Sequence, residues 1–288
     1  MWKHTDYRRN HVDVRRSRRL VIQFITTVDN YEYSFNWYFH QDGTIHYEVK
    51  LTGILLCGAL ADYPKYGTLV APEVNGLNHQ HFFGMRLDFT VDGPQNSVYE
   101  VNTKAEPVGP ANPQGNAFYA ESTLLETEKD AQRLIDPFSA RHWKVVNPNQ
   151  KNRLGQPVSY KICPGEQTFP FAHSESPLLK RAGFLTKHLW VTPYHANEKY
   201  PAGDYPNQHA GGDGLPKWTE KDRPISNTDL VVWYVFGKHH LPRPEDYPVM
   251  PCAYAGFHLM PSGFFGENPA LDVPPSKPKS YCGKNGCH

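Results

Sequence analysis

Alternation with a period of two is the feature that most restricts what this chain can fold into. From Tyr31 onward the odd positions Tyr33, Phe35, Trp37 and Phe39 are all aromatic. After Gln41-Asp42-Gly43 the odd positions Ile45, Tyr47, Val49 and Leu51 are apolar, with Thr44, His46, Glu48 and Lys50 between them. Successive side chains of a strand point to opposite faces, so these runs predict half-buried strands. Asp42-Gly43 predicts a hairpin. A two-residue loop would set Phe39 opposite His46 and Trp37 opposite Glu48. A loop of residues 41–43 sets Phe39 opposite Ile45, Trp37 opposite Tyr47 and Phe35 opposite Val49. A one-residue slip exchanges faces, so the second register is expected, with Gly43 left-handed. Tyr31 shares the parity of the apolar face and is expected to point inward.

The pattern returns at residues 79–91, where His79, His81, Phe83, Met85, Leu87, Phe89 and Val91 share one face and Arg86, Asp88, Thr90 and Asp92 the other. Residues 18–25 and 184–192 read as further strands. Asp229–Phe236 is apolar on both faces, as a central strand should be. Residues 53–75 read as a Gly/Pro-punctuated connection, 94–117 as a loop or edge hairpin, and 267–288 as a loosely packed tail. Glu126–Leu134 is the one helix candidate. Aromatics make up 13% of the 288 residues and long helical periods are scarce, so an all-β architecture is expected, as one large or two ordinary domains.

A formal net charge of +1 gives no field for nucleic acid. Seven Lys and Arg against two Asp within residues 1–20 read as a solvated or interface-paired strand face. No span approaches the ~20 apolar residues of a membrane helix, and the polar start, Met1-Trp2-Lys3-His4, lacks the apolar core of a signal peptide. Five cysteines without regular spacing outline no disulfide framework, although Cys282 and Cys287 could pair. An intracellular setting, cytoplasmic or peroxisomal, is expected.

His79-x-His81 is the strongest chemical signal. Residues i and i+2 of a strand point the same way, so two imidazoles can share one ion. The pair reads equally as hydrogen-bonded core histidines. A third ligand would come from His239 or His240, which end the apolar run, and nitrogen donors suit copper or zinc alike. Asp88, Asp92 and Asp229 form a weaker cluster of hard oxygen donors, fitting Ca²⁺ if they are more than surface acids. Met250 reads as a core filler. No nucleotide-binding loop or nucleophile elbow is present.

Three separated motifs occur together: Thr27-x-x-Asn30-Tyr31-Glu32-Tyr33; Asn78-His79-x-His81; and Gly237-x-x-His240-Leu241-Pro242-Arg243-x-Glu245-Asp246 with Pro248-x-Met250-Pro251. In this order they resemble the catalytic domain of copper amine oxidases, and the resemblance runs from Trp2 into the tail. It implies a large antiparallel β-sandwich, residues 1–288 forming part of that domain, and a homodimer without nucleic-acid or membrane partners. It implies that Tyr31 is the tyrosine oxidised to topaquinone, that Asn30 restrains its ring, and that His79, His81 and His240 hold copper(II). Asp88 and the Phe89 carbonyl, with Asp229 and the Leu230 carbonyl, match the family's second, calcium-like site for Ca²⁺ or Mn²⁺. Thr90 stands where a further carboxylate is sometimes found.

The implied reaction is oxidative deamination of a primary amine with O₂, giving aldehyde, ammonia and hydrogen peroxide, with the quinone taking up the amine as a Schiff base. The family's aspartate base lies upstream of the matched segment, and Asp6, Asp13 and Asp29 do not fit its motif. The resemblance therefore implies a domain cut short on its N-terminal side. Two other readings remain at this stage. A cupin-like metalloenzyme could use the same histidines, but no glutamate follows His-x-His closely. A non-catalytic β-sandwich binding module would carry them incidentally.

Overall fold

The aromatic alternation is what the main sheet is built on. In the computed structural model, which describes residues 2–59, 65–207 and 209–275, β1 (Trp2–Asp6) and β2 (His11–Arg15) form a hairpin that stands apart from the sheets. A meander follows in β3 (Arg19–Val28), β4 (Tyr31–His40) and β5 (Ile45–Ile54). Phe39 pairs with Ile45, Trp37 with Tyr47 and Phe35 with Val49, the register expected from the faces. Gly43 is left-handed at φ 82°.

The connection expected over 53–75 folds further than its composition suggested. It holds β6 (Cys57–Ala59), β7 (Gly67–Ala71) and β8 (Val74–Leu77) in a small three-stranded sheet. Next come β9 (His79–Asp88), β10 (Ser97–Ala105), β11 (Phe118–Leu125), β12 (His142–Lys151) and β13 (Pro157–Pro164). The chain continues through β14 (Leu189–Pro193), β15 (Leu230–His240) and β16 (Val249–Ser262). Residues 184–186, read as the start of a strand, instead belong to a short 3₁₀ turn, Gly183–Thr186, ahead of β14.

An eight-stranded antiparallel sheet runs β11-β10-β12-β13-β16-β5-β4-β3, and a three-stranded sheet β14-β15-β9 lies over it. Between them Tyr47, Val49, Trp143, Ile162 and Phe257 from the large sheet meet Leu87, Val191, Val232, Tyr234 and Phe236 from the small one. The opposite face of β14-β15 is covered as well, with Trp190, Val231, Trp233 and Val235 packed on Leu185 and Leu215. This explains why β15 is apolar at every position from Leu230 to Phe236: it is the middle strand of a middle layer. Burying each such side chain contributes about 1.5–3 kcal/mol. The fold is thus an all-β antiparallel sandwich.

The helix expected over Glu126–Leu134 does not form. Glu128 is fully buried and accepts from Arg223 Nη2 at 2.6 Å. Bridges from Thr127 to Pro224 and from Arg133 to Leu189 take the backbone groups a helix would need. An internal carboxylate pair overrides local propensity here. Of the tail, Pro269–Asp272 is a 3₁₀ turn, whereas Cys282 and Cys287 lie outside the described residues. No helix among the described residues is long and apolar enough to cross a membrane.

Candidate metal and cofactor centre

Three strand ends meet at one edge of the sandwich. Tyr31 and Tyr33 open β4, His79 and His81 open β9, and His240 closes β15. The β9–β15 register pairs His240 with His79 and Lys238 with His81, so those side chains share the inward face. His239 pairs with Gln80 on the other face, its ring 6.0 Å from Phe171. Strand parity thus separates two adjacent histidines that the sequence left as alternatives.

The rings crowd together. Tyr31 lies with its centroid 5.3 Å from His79 and 5.1 Å from His81, and His79 is 4.8 Å from His240. The site forms one wall of a chamber of about 290 Å³, shared with Thr52, Arg243 and Met250. Met250 also packs in a small core with Leu55 and Val70, next to Tyr31. Gly53, opposite Tyr31 with φ 116°, makes this approach possible, because a Cβ there would stand 2.5 Å from the Asn30 oxygen.

Hydrogen bonds on the far side of each ring fix the protons. His79 Nδ1 lies 2.8 Å from the Leu77 carbonyl, and His240 Nε2 lies 2.8 Å from Asp246 Oδ2. A carbonyl and a carboxylate only accept, so His79 carries its proton on Nδ1 and His240 on Nε2. The remaining nitrogens, His79 Nε2 and His240 Nδ1, then face each other as lone pairs at 3.3 Å. Two lone pairs at that distance repel, and a cation between them removes the conflict. Two nitrogens bound tetrahedrally to one ion at ~2.0–2.1 Å sit about 3.3 Å apart. His81 Nδ1 lies 2.8 Å from the Tyr33 hydroxyl, and Nε2 is open as a lone pair when that hydroxyl accepts from Nδ1–H.

Electrostatics keep the nitrogens available. Burial lowers the His79 pKa and, with His79 and His240 adding to it, pushes that of His81 down to about 4. Burial alone would raise Asp246, but hydrogen bonds from Arg243 and His240 hold it at about 2. The Tyr31 hydroxyl is buried and makes no hydrogen bond among the described residues, and burial raises its pKa against the lowering influence of nearby Asn30 and the Leu56 backbone. The Asn30 amide itself donates to the Ile54 carbonyl at 2.7 Å, so here it secures the turn before β4. Among the described residues no group of three His, Cys, Asp or Glu side chains closes around one point at ion-holding distance. The donor set nevertheless fits a transition ion: three open ring nitrogens and an unsatisfied phenol, with outer partners that set the tautomers.

Sequence reasoning gave no role to Asp246 or Tyr33. The only signal for Asp246 was its place in Arg243-x-Glu245-Asp246, and only the 3₁₀ turn Pro244–Asp246 swings it back to His240. At the second candidate site, the Val231–Asp88 pairing brings Asp88 and Phe89 beside Asp229 and Leu230. Both carboxylates are exposed; Asp88 accepts from Arg86 at 3.3 Å, and the Asp229 carbonyl accepts from Tyr194 N at 2.9 Å.

Known proteins share this sequence and fold. Residues 1–280 match the family model described as copper amine oxidase, enzyme domain. A copper-containing diamine oxidase of Nicotiana tabacum is 51% identical over 96% of this chain and 36% of its own length. A histamine oxidase of Arthrobacter globiformis is 47% identical over 98% of this chain and 41% of its own length. The crystal structure of a copper-containing benzylamine oxidase from Hansenula polymorpha superposes with a TM-score of 0.91 at 39% identity, over 96% of this chain and 44% of that one. The chain therefore spans less than half the length of these relatives. On sequence and on fold, it belongs to the copper amine oxidase family.

Proposed function

We propose that this chain carries the metal and quinone centre of an oxidase that deaminates primary amines to aldehyde, ammonia and hydrogen peroxide. The observation that carries the reading is the facing pair His79 Nε2 and His240 Nδ1 beside the unsatisfied Tyr31 hydroxyl. His79, His81 and His240 would hold the copper. Copper bound there would supply, with O₂, the oxidising chemistry needed to turn the Tyr31 ring into a quinone.

The chain's own residues do the rest. The Leu77 carbonyl and Asp246 hold their histidines in the tautomers that aim a lone pair inward. The Tyr33 hydroxyl holds the His81 ring at Nδ1, and accepting from an Nδ1–H there leaves the lone pair on Nε2. Tyr31 loses its phenolic proton only with help, since burial opposes the anion, and a cation at the histidines offsets that cost. Phe83 and Phe35 pack on the inward side of Tyr33, and Met250 packs beside Tyr31. Among the described residues lining the chamber, Asp246 is the carboxylate, and it is committed to His240 and Arg243. We therefore assign removal of the substrate's α-proton to a residue other than those described as lining this chamber.

Asp88, Asp229 and the carbonyls of Phe89 and Leu230 are assigned a hard divalent cation such as Ca²⁺. The test loads metal-free protein with Cu²⁺ in air and follows the visible spectrum. A quinone band that reacts with a carbonyl reagent is expected, and it should be missing in Tyr31→Phe. Metal analysis should find one copper lost in His79→Ala and one calcium lost in Asp88→Asn. A copper-loaded protein with no carbonyl-reactive chromophore sinks the cofactor assignment.

A further inference from the structure

The face of the eight-stranded sheet turned away from the core carries a second set of metal-type donors. β13 pairs with β16 so that Cys163 stands opposite His258, and β16 pairs with β5 so that His258 stands opposite His46. Their neighbours Ile162, Phe257, Leu259 and Tyr47 point into the core, which puts Cys163, His258 and His46 together on the outer face. Met260, two residues beyond His258, is on that face as well. The Cys163 thiol lies 3.6 Å from Met260 Sδ.

His258 and His46 stack with centroids 4.0 Å apart and planes 8° from parallel. Neither ring makes a hydrogen bond among the described residues. Cys163 also lines a cavity of about 300 Å³ with Arg141, His142 and Lys161, which gives solutes a way to the sulfur.

We propose that Cys163, Met260 and His258 form a binding site for a soft monovalent metal ion, Cu(I), with His46 as the ring that steadies His258. A thiolate, a thioether and an imidazole are the donors that select Cu(I) over hard cations. Two sulfurs bound to one ion at ~2.3 Å stand about 3.8 Å apart, close to the separation found here. Directly opposed residues on neighbouring strands have Cβ atoms about 4.5–5.5 Å apart, so His258 is within reach of the same ion. Arg141 and Lys161 at the rim weigh against a divalent ion, while a thiolate and a monovalent cation add no net charge. Hard oxygen ligands are not at hand: Glu48, on the same face, accepts from the Tyr38 hydroxyl at 2.9 Å. The site lies on the opposite side of the sheet from Tyr31, so it stands or falls apart from the copper–quinone reading.

The experiment uses the full chain with His79→Ala, which removes the copper of the first centre, and with Cys282→Ser and Cys287→Ser, kept anaerobic and reduced, with Cu(I) buffered by bicinchoninate. One equivalent of Cu(I) should be retained with sulfur in its first shell by X-ray absorption. Cys163→Ser and Met260→Leu should each weaken retention at least tenfold, while Cys252→Ser leaves it unchanged. Melting curves check that the variants fold, and Met260→Leu keeps the volume of a half-exposed side chain. A first shell of nitrogen alone, or retention unaltered by either Cys163→Ser or Met260→Leu, overturns the site.

Discussion

Single residues around the candidate copper act through their far sides. Asp246 touches no ion position. Its bond to His240 Nε2 decides which nitrogen of that ring is free. Asp246→Asn can present its amide NH₂ instead of an acceptor, which would favour the wrong tautomer. Copper affinity should fall by about 10–100-fold, as measured by competition with a chromophoric chelator. An unchanged affinity would mean that His240 is not a ligand. This bond is also where sequence reasoning stopped. His79-x-His81 is legible because both histidines lie on one strand, two residues apart. Asp246 and Tyr33 become partners of histidines only through a turn and a sheet-to-sheet contact, and no local period encodes either.

Elements were legible where one face was apolar and the other polar. The β4–β5 register followed from Phe39, Trp37 and Phe35 finding apolar partners. β15 was recognised as central, but its apolar character on both faces hid the parity that separates His240 from His239. Glu126–Leu134 misled because Glu128 is drawn inward to Arg223, a long-range ion pair that no local pattern reveals. The same segment is tied to β14 by His188. Its buried ring accepts from Ile135 N at 3.3 Å, its backbone N–H donates to Arg133 O at 2.9 Å, and burial lowers its pKa. The folded state therefore prefers the neutral ring, and the unfolded chain takes up the proton first as pH falls. Stability from this residue is complete above the ordinary histidine pKa of ~6.5 and declines as pH drops below it. Thermal melts from pH 7.5 to 5.0 should lose more stability in the natural chain than in His188→Gln. His46, His79, His81, His142 and His258 are lowered too, so only the difference between the two slopes belongs to His188.

The whole molecule shows an imbalance that its elements do not. Among the described residues the eight-stranded sheet ends at β3, which has a partner on its β4 side alone. Leu20, Ile22 and Phe24 extend the core-side face beyond the cover of the small sheet, and Ile22 is 55% and Phe24 59% exposed. Ile25 is 65% exposed on the other face. An open edge with apolar faces recruits further strands. The chain on its own should self-associate in a concentration-dependent way, and Ile25→Lys, which touches no core residue, should reduce this in sedimentation velocity. A monomer at all concentrations would show that β3 is covered by other means.

The candidate centre draws its tyrosine from one sheet and its histidines from the other: β4 belongs to the eight-stranded layer, β9 and β15 to the three-stranded one. That arrangement fixes an order of events. Neither layer alone can bring Tyr31 within 5.1 Å of His81, so the ring cannot be oxidised at this centre until the sandwich has closed. Under the proposed function, maturation of the cofactor would work as a permanent record of correct folding, written as colour into each molecule that completes it. Copper added during refolding should time the closure of the two layers from within.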